Sequence, residues 1–170
     1  MAGEFCATTV RAYTPGDADR CMDIWNAVVE EGVAFPQTDP LIPGIAHAFF
    51  ASQSAVGVAE VVCDAEVVGL YILHPNNVGR CGHIANASYA VAPGMRGRHI
   101  GEMLVRDSIV TARDMGFRIL QFNAVVASNA GARRLYEKIG FVPLGTIPGG
   151  FLMPDGTYED IVPYYYDLVK

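Results

Sequence analysis

The chain lacks the marks of several common function classes. Its glycines form neither G-x-x-x-x-G-K-[ST] nor G-x-G-x-x-G, so the two best-known phosphate loops are absent. Basic charge is scarce: 12 Lys and Arg stand against 18 Asp and Glu, for a net charge of −6. A general nucleic-acid binder would show a basic face instead. Cys6, Cys21, Cys63 and Cys81 include no C-x-x-C pair, so reduced thiols without a redox role are expected. Cys81, His83 and His74 lack the ordered spacing of a zinc site, and no metal is expected. No basic-then-apolar leader opens the chain, and no apolar run is long enough to span a membrane. A soluble, cytoplasmic protein is the expectation. Internal repeats and low-complexity tracts are also missing.

What is present describes a folded globule. With 170 residues, 51% hydrophobic and 18% charged, the chain is long enough for one domain, 1–170, with a substantial core. Phe5 to Tyr13 reads as a strand closed by Thr14-Pro-Gly16, and Asp17 as the N-cap of a helix. Cys21, Ile24, Trp25 and Val28 recur at helical spacing up to Gly32, which makes Trp25 a core residue. Val33 to Gly44, with three prolines, reads as an irregular loop that could wall a substrate site. Ile45 to Gln53 is a short helix with His47 on its surface or at an interface. Val56–Val62 and Val67–Leu73 read as a hairpin through Cys63-Asp-Ala-Glu66.

A turn-rich His74-Pro-Asn-Asn-Val-Gly79 precedes a strand from Ile84 to Val91 and a long helix from about Arg96 to Met115. Within that helix Glu102 stands four residues before Arg106, while Asp107 and Asp114 interrupt an otherwise apolar pattern. Phe117–Val126 is a strand, and Ser128-Asn129 caps a helix that stops at Gly140. Phe141–Ile147 and Tyr158–Leu168 are strands around a Gly/Pro-rich reversal, with Pro163 implying an edge or a bulge. The order β-α-α-β-β-β-α-β-α-β-β is an α/β fold: a mixed sheet with helices on its faces.

Two stretches carry chemistry. Between the Ile84–Val91 strand and the long helix lies Val91-Ala-Pro-Gly-Met-Arg-Gly-Arg-His-Ile-Gly101. A strand that feeds a glycine-containing turn and then a helix presents free backbone N–H groups at the positive end of a helix dipole, a site for a phosphate or pyrophosphate. Downstream stands Asn129-Ala-Gly-Ala-Arg-Arg-Leu-Tyr-Glu-Lys-Ile-Gly-Phe141. The first stretch resembles the acyl-CoA loop [QR]-x-x-G-x-[GA] of the GNAT N-acetyltransferase superfamily, with Arg96 first and Gly101 last. The second resembles its N-x-x-A-x-x-L-Y-x-x-x-G-F pattern. The two are separated by one helix and one strand, as in that superfamily. His99 stands where the loop has its middle glycine, and a more regular helical start is expected there.

The resemblance implies the GNAT fold: a central, mostly antiparallel sheet flanked by helices, with splayed strands forming the acetyl-CoA cleft. It implies that backbone amides of Gly97, Arg98, His99, Ile100 and Gly101 hold the pyrophosphate, with Arg96 or Arg98 adding charge. A bulge near Tyr89, Ala90 and Val91 would free N–H groups to polarise a thioester carbonyl. Asn129 would contact the pantetheine–phosphate arm, although an N-cap explains it equally well. Tyr136 matches the position that protonates the departing thiolate. The base that relieves the amine of its proton is left open among His83, Glu60 and water.

A finer likeness, through His74–Val91, Gln121–Val126 and Leu144–Phe151, points to a branch that acetylates azetidine-2-carboxylate and related proline analogues. In it Asn86 and Asn123 flank the acceptor pocket. A buried amide must find partners, so two asparagines in apolar strands could bind the acceptor or be satisfied by backbone. A small-molecule amine, such as an amino acid or an amine-bearing toxin, is the expected partner. An acetyltransferase for proteins or peptides and a non-catalytic acyl-CoA sensor are the rivals. The Pro-rich loop at 33–44 and the Gly/Pro loop at 148–156 favour a covered pocket. The Tyr164-Tyr-Tyr166 run offers one strand face to a second subunit, as in a homodimer.

Overall fold

The computed structural model describes residues 6–170. Strand β1 is Thr8–Ala12; helices α1 (Ala18–Glu31) and α2 (Pro43–Ala51) follow. Then come β2 (Ala55–Val61), β3 (Glu66–Pro75), β4 (Ile84–Val91), α3 (Ile100–Asp114), β5 (Ile119–Val126) and α4 (Ala130–Ile139). The chain closes with β6 (Val142–Pro143), β7 (Ile147–Leu152) and β8 (Tyr158–Asp167). The strands form one sheet in the order β1-β2-β3-β4-β5-β8-β6, with β7 also paired to β8. Every pairing is antiparallel except β4 with β5. The expected mixed, mostly antiparallel sheet is therefore present, and Phe5 lies outside the described residues.

Two cores sandwich the sheet. On one face Leu104, Val105 and Ala112 of α3 pack on Val68, Leu73, Leu120 and Phe122, with α4 beside them. On the other, Cys21, Ile24, Trp25 and Val28 of α1 pack on Val58, Leu70 and Ile72. The i, i+3, i+4, i+7 spacing read in the sequence is this buried stripe. Trp25 is buried and its ring lies 4.4 Å from Phe35 and 5.1 Å from Phe49. That contact anchors the loop after α1, and Asn26 holds the loop's far end through paired bonds to the Leu41 backbone (2.7 and 2.8 Å).

Non-local pairing accounts for most departures from expectation. The Thr8↔Val61 register, continued outward, brings Cys6 opposite Cys63, and the two are bonded, with Cα atoms 6.0 Å apart. The expectation of four reduced thiols is thus corrected; Cys21 is free and buried, Cys81 free and exposed. Asp17 sits at the N-cap of α1 but turns away from the helix amides. Its carboxylate takes two hydrogen bonds from Arg11 (2.8 and 2.9 Å) and one from the Thr14 amide (2.7 Å). Arg11, and then the Thr14 amide together with its hydroxyl at 3.0 Å, hold the Asp17 carboxyl down at about 2 against the opposing cost of burial.

Asp107 also finds its reason: it accepts the hydroxyl proton of buried Tyr71 at 2.8 Å. Across β2, a Cβ at Gly57 would come within 2.2 Å of the Tyr71 ring, so glycine is what lets that ring lie flat on the strand. Nothing in the structure explains Asp114. The strand expected at Phe141–Ile147 is broken at Gly145 (φ 121°) into β6 and a separate β7, and the chain turns at Pro154-Asp-Gly156. Strand β8 is interior, paired on both sides. Tyr164 is fully buried and Tyr166 packs on Phe141 at 5.1 Å, so the Tyr run spends that face inside the chain.

Candidate active site

The site begins where β4 and β5 part. They pair only at Ile84↔Ile119 and Ala85↔Leu120; beyond that β4 stays with β3 and β5 goes to β8. Ile84 O accepts from Asn76 N, and Ala92 N donates to Val68 O, so the even-numbered residues of β4 turn their backbone toward β3. The odd ones, Ala87, Tyr89 and Val91, therefore turn N–H and C=O toward the opening, where no strand meets them. A cavity of about 710 Å³ fills this opening and runs between α1, α3 and α4.

The expected bulge at Tyr89-Ala90-Val91 is not there. The β3–β4 register runs unbroken from Gly69↔Val91 to Pro75↔Ala85. Ala90 is buried against the α1 face, while Tyr89 and Val91 line the cavity. The bulge lies instead in β5, where Phe122↔Tyr164 is followed by Val125↔Val162. Asn123 and Ala124 together oppose Pro163, so the N–H that proline lacks falls where the ladder is already interrupted. Pro163 thus marks a bulge in the neighbouring strand, not an edge.

At the entrance to α3 the backbone of His99 takes φ 61°, ψ 10°. That is the left-handed conformation a glycine would adopt most easily. The more regular helical start expected from His99 is thereby corrected: His99 stays outside the helix in the left-handed conformation, and α3 starts only at Ile100. The 92–99 loop turns through Gly94 and Gly97, both at positive φ. The first amides of α3, at Ile100, Gly101 and Glu102, have no intrahelical acceptor.

The side chains around this loop diverge. Arg98 is exposed, and the His99 ring stands in solvent 3.9 Å from Glu102. Arg96 lines the cavity but donates to both oxygens of Glu31 (2.8 and 3.0 Å), tying the loop to the end of α1. Ile100 is core. Glu102 braces α3 to α4: Lys138 and Arg106, each at 2.8 Å, hold its carboxyl at about 2.

From α4 come Asn129 and Tyr136, both on the cavity wall. The Asn129 side chain accepts from Ala132 N at 3.2 Å, a working N-cap that still leaves it at the cavity. Tyr136 packs on Phe122 (4.6 Å) and, more loosely, on Tyr89 (6.4 Å). Its hydroxyl has no hydrogen-bond partner among the described residues, and burial raises its phenol above the ordinary value. Tyr89 differs: Ser108 gives its hydrogen to Val105 O, so the Tyr89 hydroxyl donates to Ser108 at 2.7 Å and is spent.

On the opposite wall Asn86 and Asn123 line the cavity, tied together by neighbouring amides. Asn76 Oδ1 accepts from Asn123 Nδ2 at 2.6 Å and, weakly, from Asn86 Nδ2 at 3.4 Å; Gln121 donates to Asn123 Oδ1 at 3.0 Å. Asn86 and Asn123 do meet across the strand opening, but through Asn76, which sequence reading treated as a turn residue. Its signal was parity: Asn76 continues β3 two residues past His74, on the face that meets Asn86. Phe35, Pro36 and Gln37 of the 33–44 loop line the same cavity. The 148–156 segment does not reach it, being taken up in the β7–β8 hairpin.

Neither named base is in reach. Glu60 on β2 is bound by Arg11, and His83 lies outside the cavity, its carbonyl accepting from Arg118 N. Among the described residues no three His, Cys, Asp or Glu converge as metal ligands, and no helix is long and apolar enough to cross a membrane.

Comparison with known proteins bears on the fold and the family. Residues 21–141 match the acetyltransferase (GNAT) family model. N-acetyltransferase aca1 of Schizosaccharomyces pombe is 32% identical over 112 residues, which are 65% of this chain and 54% of that protein. The chain therefore spans about half the length of this curated relative. A GCN5-related N-acetyltransferase from Kribbella flavida superposes with TM-score 0.87 at 31% identity, covering 95% of this chain and 98% of that one. The yncA protein of Salmonella typhimurium, solved with acetyl-CoA, has a TM-score of 0.88 at 20% identity over 95% and 94% of the two chains.

Proposed function

With the premise that the chain belongs to the GNAT acetyltransferase family, we propose that it moves the acetyl group of acetyl-CoA to the amine of a small molecule. One observation carries the reading. An opening between two sheet strands has unpaired backbone on the β4 side and, facing it, the unpartnered hydroxyl of Tyr136. The residues fit the donor: Ala87, Tyr89 and Val91 offer backbone to an extended amide-bearing arm, as an added strand would. The amides of Gly97 to Gly101 offer donors for a pyrophosphate. Charge-assisted hydrogen bonds of this kind contribute about 1.5–3 kcal/mol each.

Tyr136 is the proton donor to the leaving sulfur. Burial keeps its phenol protonated through neutral pH, and the absence of a protein partner leaves the proton to give. The Tyr89 hydroxyl is committed to Ser108 and has a packing role; its backbone serves the donor side. Asn129 contributes to the arm's binding from the first turn of α4. Arg96 neutralises phosphate charge only by leaving Glu31. Asn86 and Asn123 orient the acceptor, with Asn76 holding both.

A small acceptor is favoured because Phe35, packed on Trp25, and Pro36 narrow the cavity that the amides line; a protein substrate needs an open groove there. The likeness to the proline-analogue branch supports the same class. The test is a panel of amino acids, cyclic imino acids, polyamines, aminoglycosides and short peptides, each with acetyl-CoA and read by mass spectrometry. Acetylation confined to one small-amine class is expected. Preferred acetylation of the peptides would replace this reading with a protein acetyltransferase.

A further inference from the structure

We propose that His74 is the proton acceptor of the transfer, taking a proton from the acceptor's ammonium on its Nε2. The inference rests on the small-amine reading above. His74 is the last residue but one of β3 and stands opposite Asn86 in the β3–β4 register. Directly opposed residues in an antiparallel pair share a face, so its ring belongs to the amide wall with Asn86 and Asn76. It is half-buried and lines the cavity.

Its tautomer follows from one contact. Nδ1 lies 3.0 Å from Pro75 O, and a carbonyl oxygen can only accept, so Nδ1 carries the hydrogen. The lone pair is then on Nε2, the nitrogen farther from the backbone. A histidine whose other nitrogen is held this way is set up as a base.

Rival bases at the cavity are committed elsewhere. Glu31 closes α1 and gives both oxygens to Arg96 of the 92–99 loop, so the two charged side chains facing the cavity pair with each other. From β4 and β5 the wall receives Asn86, Ser88 and Asn123, none of them charged. On the far side, Tyr89 and Tyr136 are phenols raised by burial.

The proton balance closes with these groups. The ammonium gives one proton to His74 Nε2, and the freed nitrogen lone pair forms the C–N bond at the thioester carbonyl. The C–S bond breaks, and the sulfur takes the Tyr136 hydroxyl proton. The nitrogen's second proton restores Tyr136 through water, while His74 releases its own to solvent. One ammonium and one thioester become one amide, one thiol and one proton.

His74→Gln keeps a polar side chain but cannot titrate. The kcat/KM of wild type and variant is measured against pH with the best amine of the panel, alongside the acetyl-CoA Kd by calorimetry. The expected loss is about 100-fold near pH 7, with unchanged acetyl-CoA Kd and a rate that recovers as the amine deprotonates itself at higher pH. Equal kcat/KM and the same pH profile in both proteins overturn the assignment, as does a matching loss of acetyl-CoA affinity, which would mark His74 as structural.

A second readout needs no turnover. Nitrogen-15 NMR of labelled histidine, assigned by comparison with the variant, should show His74 as the Nδ1–H tautomer; the Nε2–H tautomer overturns the proposal. Wild type inactive with every amine takes down the functional reading and this inference with it, whereas an active wild type with an unaffected variant removes His74 alone.

Discussion

The two walls of the cleft are built from different material. The proposed donor side is backbone: the odd-numbered residues of β4, the 92–99 loop and the first amides of α3. The proposed acceptor side is side chains, with His74 from the end of β3, Asn76 just beyond it, Asn86 from β4 and Asn123 from the bulge of β5. Backbone chemistry tolerates sequence change, as His99 shows by holding at φ 61° the conformation a glycine would hold. Side-chain chemistry does not, since losing one amide leaves its neighbours unpaired. In such a cleft the donor can stay constant while the acceptor varies.

The largest test of that division is Tyr136→Phe, which removes the hydroxyl between the two walls. It is expected to lower kcat by about 100-fold or more with little change in acetyl-CoA Kd; stopped-flow thiol release and calorimetry on the same protein check it. Unchanged kcat across the pH range would remove Tyr136 from the mechanism. Next is Asn76→Ala. Stripping the acceptor oxygen from half-buried Asn86 and exposed Asn123 should raise the amine KM by about three- to tenfold, the scale of one hydrogen bond lost, and leave acetyl-CoA binding alone. A parallel rise in acetyl-CoA Kd would mean that the walls are not independent.

A smaller effect is expected at the bridge between the loop and α1. Glu31→Gln releases Arg96 for the phosphates, and acetyl-CoA should bind about two- to threefold more tightly at low salt, less so at high salt. Weaker binding would show that the Glu31–Arg96 pair holds the loop in its binding shape.

The smallest concerns Glu102, which braces α3 to α4. Lys138 and Arg106 lower its carboxyl from the usual 4.5 to about 2. Its contribution is therefore present above the unfolded value and is lost as pH falls through the folded one. Thermal melts of Glu102→Gln should fall less between pH 4.5 and 2 than those of wild type. An identical decline would show that the brace carries no stability.

How much of this could be read from residues alone follows the same division. The proposed donor side lies in two continuous stretches, so local order points to it: strand, turn, helix start, and later the Asn129 and Tyr136 positions one helix and one strand away. Helix α1 was legible for a similar reason, its buried stripe recurring at helical spacing around Trp25. The acceptor wall was only half legible. Asn86 and Asn123 stood out as polar residues in apolar strands, but Asn76 and His74 looked like a turn, because their partners come from register across the sheet. The Cys6–Cys63 bond, the placement of the bulge in β5 instead of β4, and the pairing of Arg96 with Glu31 were hidden for the same reason. Each depends on which distant segments lie side by side, and spacing along the chain does not record that.

The most direct measurement is thiol release from acetyl-CoA by the wild-type protein, with and without amine, on a sample whose acetyl-CoA Kd is known from calorimetry. An acetyltransferase built on this cleft should bind acetyl-CoA and release thiol only when a suitable small amine is present, one acetylated amine per thiol. Failure to bind acetyl-CoA at all would contradict the assignment of the β4–β5 opening and the 92–101 loop as the donor site.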